Sequence, residues 1–195
     1  MKKNSIVLIT LLSFSIVMAQ RSKREEGIIF GIKGGLNISN MMGDIKDNNL
    51  RTSIHLGVVS EIMISDRVSL QPELLYSGQG YSDGSIAGFS RKKYNYITLP
   101  ILAKIHVIDQ VSIEAGPSLG FLIGTKHKTD TSNASIDGTS FLDFGLNLGA
   151  TYELKNGIFF SSRYNYGLIN ANNSSTKDTM KITNTVIQCS VGVLF

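Results

Sequence analysis

From Ile28 onward, apolar and polar residues alternate with a period of two, the pattern of strands whose two faces meet different surroundings. Ile28, Phe30, Ile32 and Leu36 share one side of a first strand. A second sets Ile54, Leu56, Val58, Ile62 and Ile64 against His55, Gly57, Glu61 and Ser65. A third sets Val68, Leu70, Pro72, Leu74 and Tyr76 against Ser69, Gln71, Glu73 and Ser77. The stretch "YITLPILAKIHV" puts Ile97, Leu99, Ile101, Ala103 and Ile105 on one face. Val111, Ile113, Ala115, Pro117, Leu119 and Phe121 then oppose Glu114, Gly116, Ser118 and Gly120. "FLDFGLNLGATYEL" and the segment from Ile158 to Leu168 repeat the scheme, and "TVIQCSVGVLF" completes an eighth strand. Helical periodicity is absent after the first twenty or so residues.

The connections between these strands alternate in length. Short ones fall at 65–67, 108–110 and 155–157, and long polar ones at 39–52, 80–93, 125–139 and 170–182. Such alternation predicts an all-β fold: an eight-stranded antiparallel up-and-down transmembrane β-barrel, with the short turns gathered at one end. Alternation alone also fits a soluble barrel, whose apolar face points inward. The polar face decides between them. It carries Gly31, Gly35, Gly57, Gly116, Gly120, Gly145 and Gly149 with Ser and Asn between them. Small residues suit the crowded interior of an eight-stranded barrel, which side chains just fill.

The charges on that face are mixed. Lys33, Glu61, Glu73, Lys104, Glu114 and Arg163 all fall in the half nearer the short turns. Opposite charges confined in a lumen must pair, because unpaired burial is costly. The spacing predicts Lys104 with Glu114 across one hairpin and Lys33 with Glu61 on adjacent strands, together forming a plug. Tyr152 and Phe195 near the short-turn end, and Tyr76, Phe121, Tyr164 and Tyr166 near the other, match paired interfacial girdles.

The start of the chain reads as an export signal. Lys2 and Lys3 precede an apolar run from Ile6 to Val17, and Val17-Met18-Ala19 predicts cleavage between Ala19 and Gln20. This divides the chain into a signal peptide at 1–19 and a barrel domain at 20–195. Loss of Lys2 and Lys3 lowers the formal charge from +4 to +2. No basic stripe interleaved with stacking aromatics is present, which argues against a nucleic-acid partner. Cys189, the one cysteine, has no internal disulfide partner and reads as a small hydrophobe.

Other chemistry is sparse. "GIKGGLN" lacks the Gly-Lys-Ser/Thr ending of a phosphate loop, and His55, His106 and His127 show no metal-ligand spacing. The reading therefore assigns no cofactor, no metal and no catalytic residues. His55, Ser53 and Asp83 are the weighed candidates for a hydrolase or acyltransferase site near the loop end.

Taken together, "YNYITLPILAKI", "IEAGPSLGFLI", "FLDFGLNLGATYEL" and "SSRYNYGLINA" resemble strands of the PorT-like family of small outer-membrane β-barrels, a Bacteroidetes-type group. The resemblance runs over the whole chain after the signal. It implies an eight-stranded barrel in the cell outer membrane and no single activity. It also implies that Ile187, Cys189, Val191, Val193 and Phe195 form a terminal-strand signal read by the barrel-assembly machinery. Val193 departs from the aromatic residue common at that position. The expected function is a non-catalytic barrel with a filled lumen, in contact with outer-membrane lipid and offering its long loops to a protein or surface ligand. The alternatives are a lipid-modifying outer-membrane enzyme and a soluble periplasmic ligand-binding barrel.

Overall fold

The computed structural model describes residues 27–43, 48–83, 90–129, 132–134, 141–168 and 182–195. The export signal and the Ala19–Gln20 junction lie outside the described residues. The strands in chain order are β1 (Ile28–Gly43), β2 (Asn48–Asn49), β3 (Arg51–Ser65), β4 (Val68–Asp83), β5 (Ser90–Ile108), β6 (Val111–Thr129), β7 (Ser132–Ala134), β8 (Leu142–Glu153), β9 (Ile158–Gly167) and β10 (Ile182–Leu194).

The eight long strands pair antiparallel with their chain neighbours, and β10 closes onto β1 along the whole run from Gly31↔Leu194 to Gly43↔Ile182. Closure removes both sheet edges. The fold is a closed eight-stranded up-and-down barrel, as the alternation predicts. Two-residue turns at Asp66-Arg67 and Asp109-Gln110 and the four-residue connection 154–157 share one end. In the last of these, Gly157 adopts φ +83°, a conformation that residues with a Cβ adopt at a cost.

The long connections are shorter than their polarity suggests. β1 runs to Gly43, β4 to Asp83 and β6 to Thr129, and the short β2 and β7 pair with β4 and β6. Ladder hydrogen bonds are indifferent to side-chain polarity, so the polar stretches 80–83, 90–93 and 125–129 continue as strand.

The two faces separate as the pattern requires. Ile32, Leu36, Ile54, Leu56, Val58, Ile101, Ile105, Leu148 and Val191 are all exposed on the outside. Ile54 to Ile64 covers eleven residues of β3, which at the usual rise and tilt is roughly a 25 Å band. An apolar belt of this extent is not a water-facing surface, and it inverts the arrangement of a soluble ligand-binding barrel. Phe30, Tyr76, Tyr152, Phe160, Tyr164, Tyr166 and Phe195 are exposed on the same outer face. Ile187, Cys189, Val191 and Phe195 form one exposed row, with Val193 half-buried among them. Thr185 departs from that row: it is buried and its hydroxyl donates to the Asn40 carbonyl at 3.1 Å.

Inside, backbone approaches are close. A Cβ at Gly57 would overlap the Leu74 carbonyl oxygen, and one at Gly116 the Ile101 carbonyl oxygen. The inward glycines therefore let strongly coiled strands pass one another in a narrow barrel.

Candidate functional site: a closed lumen

The six charged residues expected in the lumen are all there, and all are buried. Their pairing differs from the sequence expectation. Lys33 Nζ binds Glu73 Oε2 at 2.9 Å rather than Glu61. Arg163 grips the same carboxylate with two parallel bonds, Nη1 to Oε2 at 3.0 Å and Nη2 to Oε1 at 2.9 Å. Its Nε donates to Glu114 Oε1 at 2.8 Å. Glu114, expected to take Lys104, is completed instead by the Thr151 hydroxyl at 3.1 Å. Lys104 reaches Glu61 Oε2 at 3.0 Å.

Geometry explains the exchange. Lys33 lies opposite Gly57 in the β1–β3 ladder, four residues of β3 away from Glu61, or about 13 Å along the strand. Lys104 and Glu114 are register partners, but inward side chains converge on the axis, where partners from non-adjacent strands come within reach. Gly149 stands between Glu114 and Arg163 in the β6–β8–β9 ladder. With no side chain there, the guanidinium crosses to the carboxylate.

Two charge clusters result. Lys33, Arg163, Glu73 and Glu114 balance as two cations and two anions. Lys104 balances Glu61, which also accepts from Ser69 at 2.9 Å and meets His106 Nε2 at 3.1 Å. Bidentate, fully bonded pairs are the form in which a buried charge is tolerated. Ser69 and Gln71 lie on the polar face that the alternation assigns, whereas His106 and Thr151 are not placed in the lumen by the sequence reading. Each lies on the same alternation phase as a named charge: Gln71 two residues from Glu73, and His106 two residues from Lys104.

Beside this plug sits an apolar stopper of Val59, Phe159 and Leu194, with Ile29 packed against it and Val59 the register partner of Glu73. Leu75 and Leu102 are also fully buried inside. The alternation reading missed them for one reason. Each belongs to an apolar doublet (Val58-Val59, Leu74-Leu75, Ile101-Leu102, Phe159-Phe160, Val193-Leu194). A doublet must send one member inward, and it was the lipid-facing member that was read.

Above the plug amides, hydroxyls and an imidazole make most of the bonds, with Arg51 and Asp143 the ionisable groups among them. His55 Nδ1 donates to Asn37 Oδ1 at 2.7 Å, and the Ser190 hydroxyl donates to Nε2 at 2.8 Å. Asn37 Nδ2 donates to Ser77 Oγ at 2.9 Å and the Gly78 carbonyl at 2.8 Å. A further tier links Asn165 Nδ2 to Ser118 Oγ and Asn147 Oδ1, both at 2.9 Å. The cavity between these tiers, lined among others by Gln79, Thr98, Asn147 and Gln188, has a volume of about 20 Å³, room for one water.

The candidate trio of Ser53, His55 and Asp83 does not assemble. Ser53 donates to the Gly78 carbonyl, and His55 is held by Asn37 and Ser190. In the ladder Asp83 lies six residues beyond Ser77, the register partner of His55, roughly 20 Å along the strand. Among the described residues, no three His, Cys, Asp or Glu side chains converge as metal ligands. The side chain of His127 lies outside the described residues.

Structural likeness points the same way as the faces. Neisserial surface protein A superposes with a TM-score of 0.58 at 13% identity, over 87% of this chain and 100% of that one. The attachment invasion locus protein Ail of Yersinia pestis superposes with a TM-score of 0.54 at 12% identity, over 88% of this chain and 100% of that one. At such identities the likeness speaks for the fold. No curated protein sequence matches the chain. Residues 18–173 match the family described as outer membrane protein beta-barrel domain. With an apolar belt on its outside, a closed ring of eight strands and four fifths of its length in that match, the chain belongs to the outer membrane protein beta-barrel domain family and resides in the outer membrane.

Proposed function

We propose that this is a non-catalytic barrel of the PorT-like branch, sealed at its centre and working through its surroundings rather than through a pore. The observation that carries the reading is the neutral plug: three cations and three anions of the lumen paired with one another beside an apolar stopper. Three acids and three bases leave no net field to draw an ion inward. The short-turn end faces the periplasm and the long-connection end faces outside, where loops are free to engage a protein or surface ligand. The row Ile187, Cys189, Val191, Val193 and Phe195 serves as the strand recognised by the assembly machinery, after export and cleavage at Ala19–Gln20.

Planar bilayers holding the purified protein test the seal. The expected result is no stable conductance, and reproducible porin-sized steps would refute it. Removal of Phe195 is expected to lower outer-membrane yield while leaving export intact; undiminished yield would make Phe195 an ordinary lipid-facing residue. A tag inserted between Asp137 and Gly138 is expected on the surface of intact cells. Detection only after permeabilisation would invert the orientation.

One observation favours a second reading, a lipid-modifying enzyme. Ser190, His55 and Asn37 are bonded in the order nucleophile, base, orienting group. Against it, all three are buried, and none of them lines the small cavity of the lumen.

A further inference from the structure

The small cavity of the lumen lies toward its loop-side mouth: Asp143, one of its lining residues, is the second residue of β8 and is half-buried there. The polar lining is one-sided. Gln79, Thr98, Ser118, Asp143, Asn147 and Gln188 all carry side-chain oxygen, and no lysine, arginine or histidine lines the space. The amides among them have their nitrogens committed elsewhere. Gln79 Nε2 donates to Ser77 Oγ at 3.0 Å, Gln188 Nε2 to Asn37 Oδ1 at 3.2 Å, and Asn147 Nδ2 to the Gly116 carbonyl at 3.4 Å. Asn165, also at the cavity, gives its nitrogen to Ser118 and Asn147. What these side chains leave for the cavity is acceptors.

Two of the acceptors are short of a partner. Asp143 is held by the Asn184 amide and the Phe144 backbone N–H, both neutral donors, so its carboxylate meets no counter-charge within the cavity. Asn184 also donates to Gln79 Oε1, and its own Oδ1 is buried with no partner among the described residues. Because Asn184 is bonded to two lining residues, that orphaned oxygen stands at the edge of the same space. Buried acceptors in this condition are costly. One water, which the volume of about 20 Å³ admits, would donate two bonds and leave the carboxylate uncompensated. A cation meets several oxygens at once and the charge as well.

We propose that this cavity binds one monovalent metal cation of the sodium and potassium class, with Asp143 as its counter-charge and neutral oxygens of the neighbouring amides and hydroxyls as its remaining ligands. Oxygen-only ligand sets suit hard cations. A single carboxylate balances a single charge, whereas a divalent ion would leave one charge over in a filled interior. Magnesium would also keep several of its waters, for which a cavity of about 20 Å³ has no room. The plug closes the lumen beyond the site, so the ion binds without passing through, and its binding is independent of the seal proposed above.

The test uses the refolded full-length barrel in zwitterionic detergent at neutral pH, with sodium chloride replacing choline chloride at constant ionic strength. Sodium NMR line width and the urea midpoint are read side by side. Wild type is expected to broaden the sodium line saturably, in competition with potassium, and its midpoint should rise as sodium replaces choline. Asp143→Asn keeps an oxygen for the Asn184 amide and removes the charge. It should bind sodium at least about tenfold more weakly, as loss of a counter-charge at contact distance requires. Thr98→Val removes one neutral oxygen at nearly constant shape and should weaken binding about threefold. Both variants should keep the gel mobility of the folded barrel in choline alone. Absence of saturable broadening by wild type, or equal broadening by wild type and Asp143→Asn, would overturn the site. Displacement of sodium by micromolar calcium would overturn its assignment to a monovalent ion.

Discussion

Around Lys33 and Arg163 the lumen is held by full charges; around Asn37 and Asn165 it is held by amides and hydroxyls. Both regions are polar, both are lined by inward positions of the same strands, and both lie in one narrow barrel. They differ in what happens when a partner is lost. A neutral donor left alone costs the desolvation of one dipole, and a single water restores much of it. An ion left alone in a filled interior has no such substitute. The charged tier sits next to the apolar stopper and the amide tier next to the small cavity. The paired ions thus occupy the drier region, where their mutual pairing is most exacting, and the region with room for water is lined mainly by neutral groups, together with Asp143.

The sharpest way to break this comparison is Arg163→Met. The substitution removes the cation from Glu114, which keeps only the Thr151 hydroxyl, and leaves Glu73 with Lys33 as its one remaining counter-charge in the cluster. The expected loss is about 3–5 kcal/mol. The chain has no tryptophan, so unfolding in urea is followed by tyrosine fluorescence and by the mobility of the unheated barrel on gels. A loss below about 1 kcal/mol, the size expected for a neutral bond, would mean that water already reaches the plug.

Glu61→Gln probes the other charge cluster and should cost less. The amide oxygen still accepts from Lys104, so the ammonium loses its counter-charge but keeps a bond. The expected loss is about 2–3 kcal/mol, read in the same urea titration. A cost matching that of Arg163→Met would show that the counter-charge, and not the number of stranded groups, sets the scale.

The two tiers were unequally legible in the sequence. All six charges were found, because a charged residue on an alternating face can be placed without knowing its neighbours. Their partners were not: strand adjacency ranks Lys104 with Glu114, whereas a closed barrel lets Arg163 of β9 reach Glu73 of β4 across the axis. The fold itself was plain, since period two over eight segments and alternating connection lengths leave few other arrangements. The stopper stayed hidden in apolar doublets, and the ladders past the rim stayed hidden in polar residues such as Lys92 and Lys126, which pair regardless of polarity. His55 and Ser190 were separated by 135 residues, so nothing short of closure between β1 and β10 brings them together.

Asn37→Ala tests the amide tier. It removes the acceptor of His55 and the donor to Ser77 and Gly78. Because the substitution also opens polar space beside the existing cavity, water is expected to fill it, and the cost should be about 1–2 kcal/mol. A loss as large as that of Arg163→Met would erase the distinction between the tiers.

Ser190→Ala should have the smallest effect, and it also decides between strut and catalyst. Asn37 Nδ2 is committed to the Gly78 carbonyl and Ser77, so its oxygen faces His55 and can only accept. That holds the proton on Nδ1 and leaves Nε2 as the acceptor for the Ser190 hydroxyl. The tautomer is the one a serine hydrolase needs, but it is also the one any satisfied Ser–His–Asn chain adopts. What separates the two is access: Ser190 is 8% exposed, and a nucleophile requires an acyl group to reach it. As a strut, Ser190 contributes one neutral hydrogen bond, and its replacement should cost about 1 kcal/mol or less, with water taking the vacated place beside Nε2. Neither wild type nor variant should then be labelled by a fluorophosphonate probe in detergent or in lipid vesicles. Labelling of the wild type that Ser190→Ala abolishes would overturn the strut and make this barrel an enzyme.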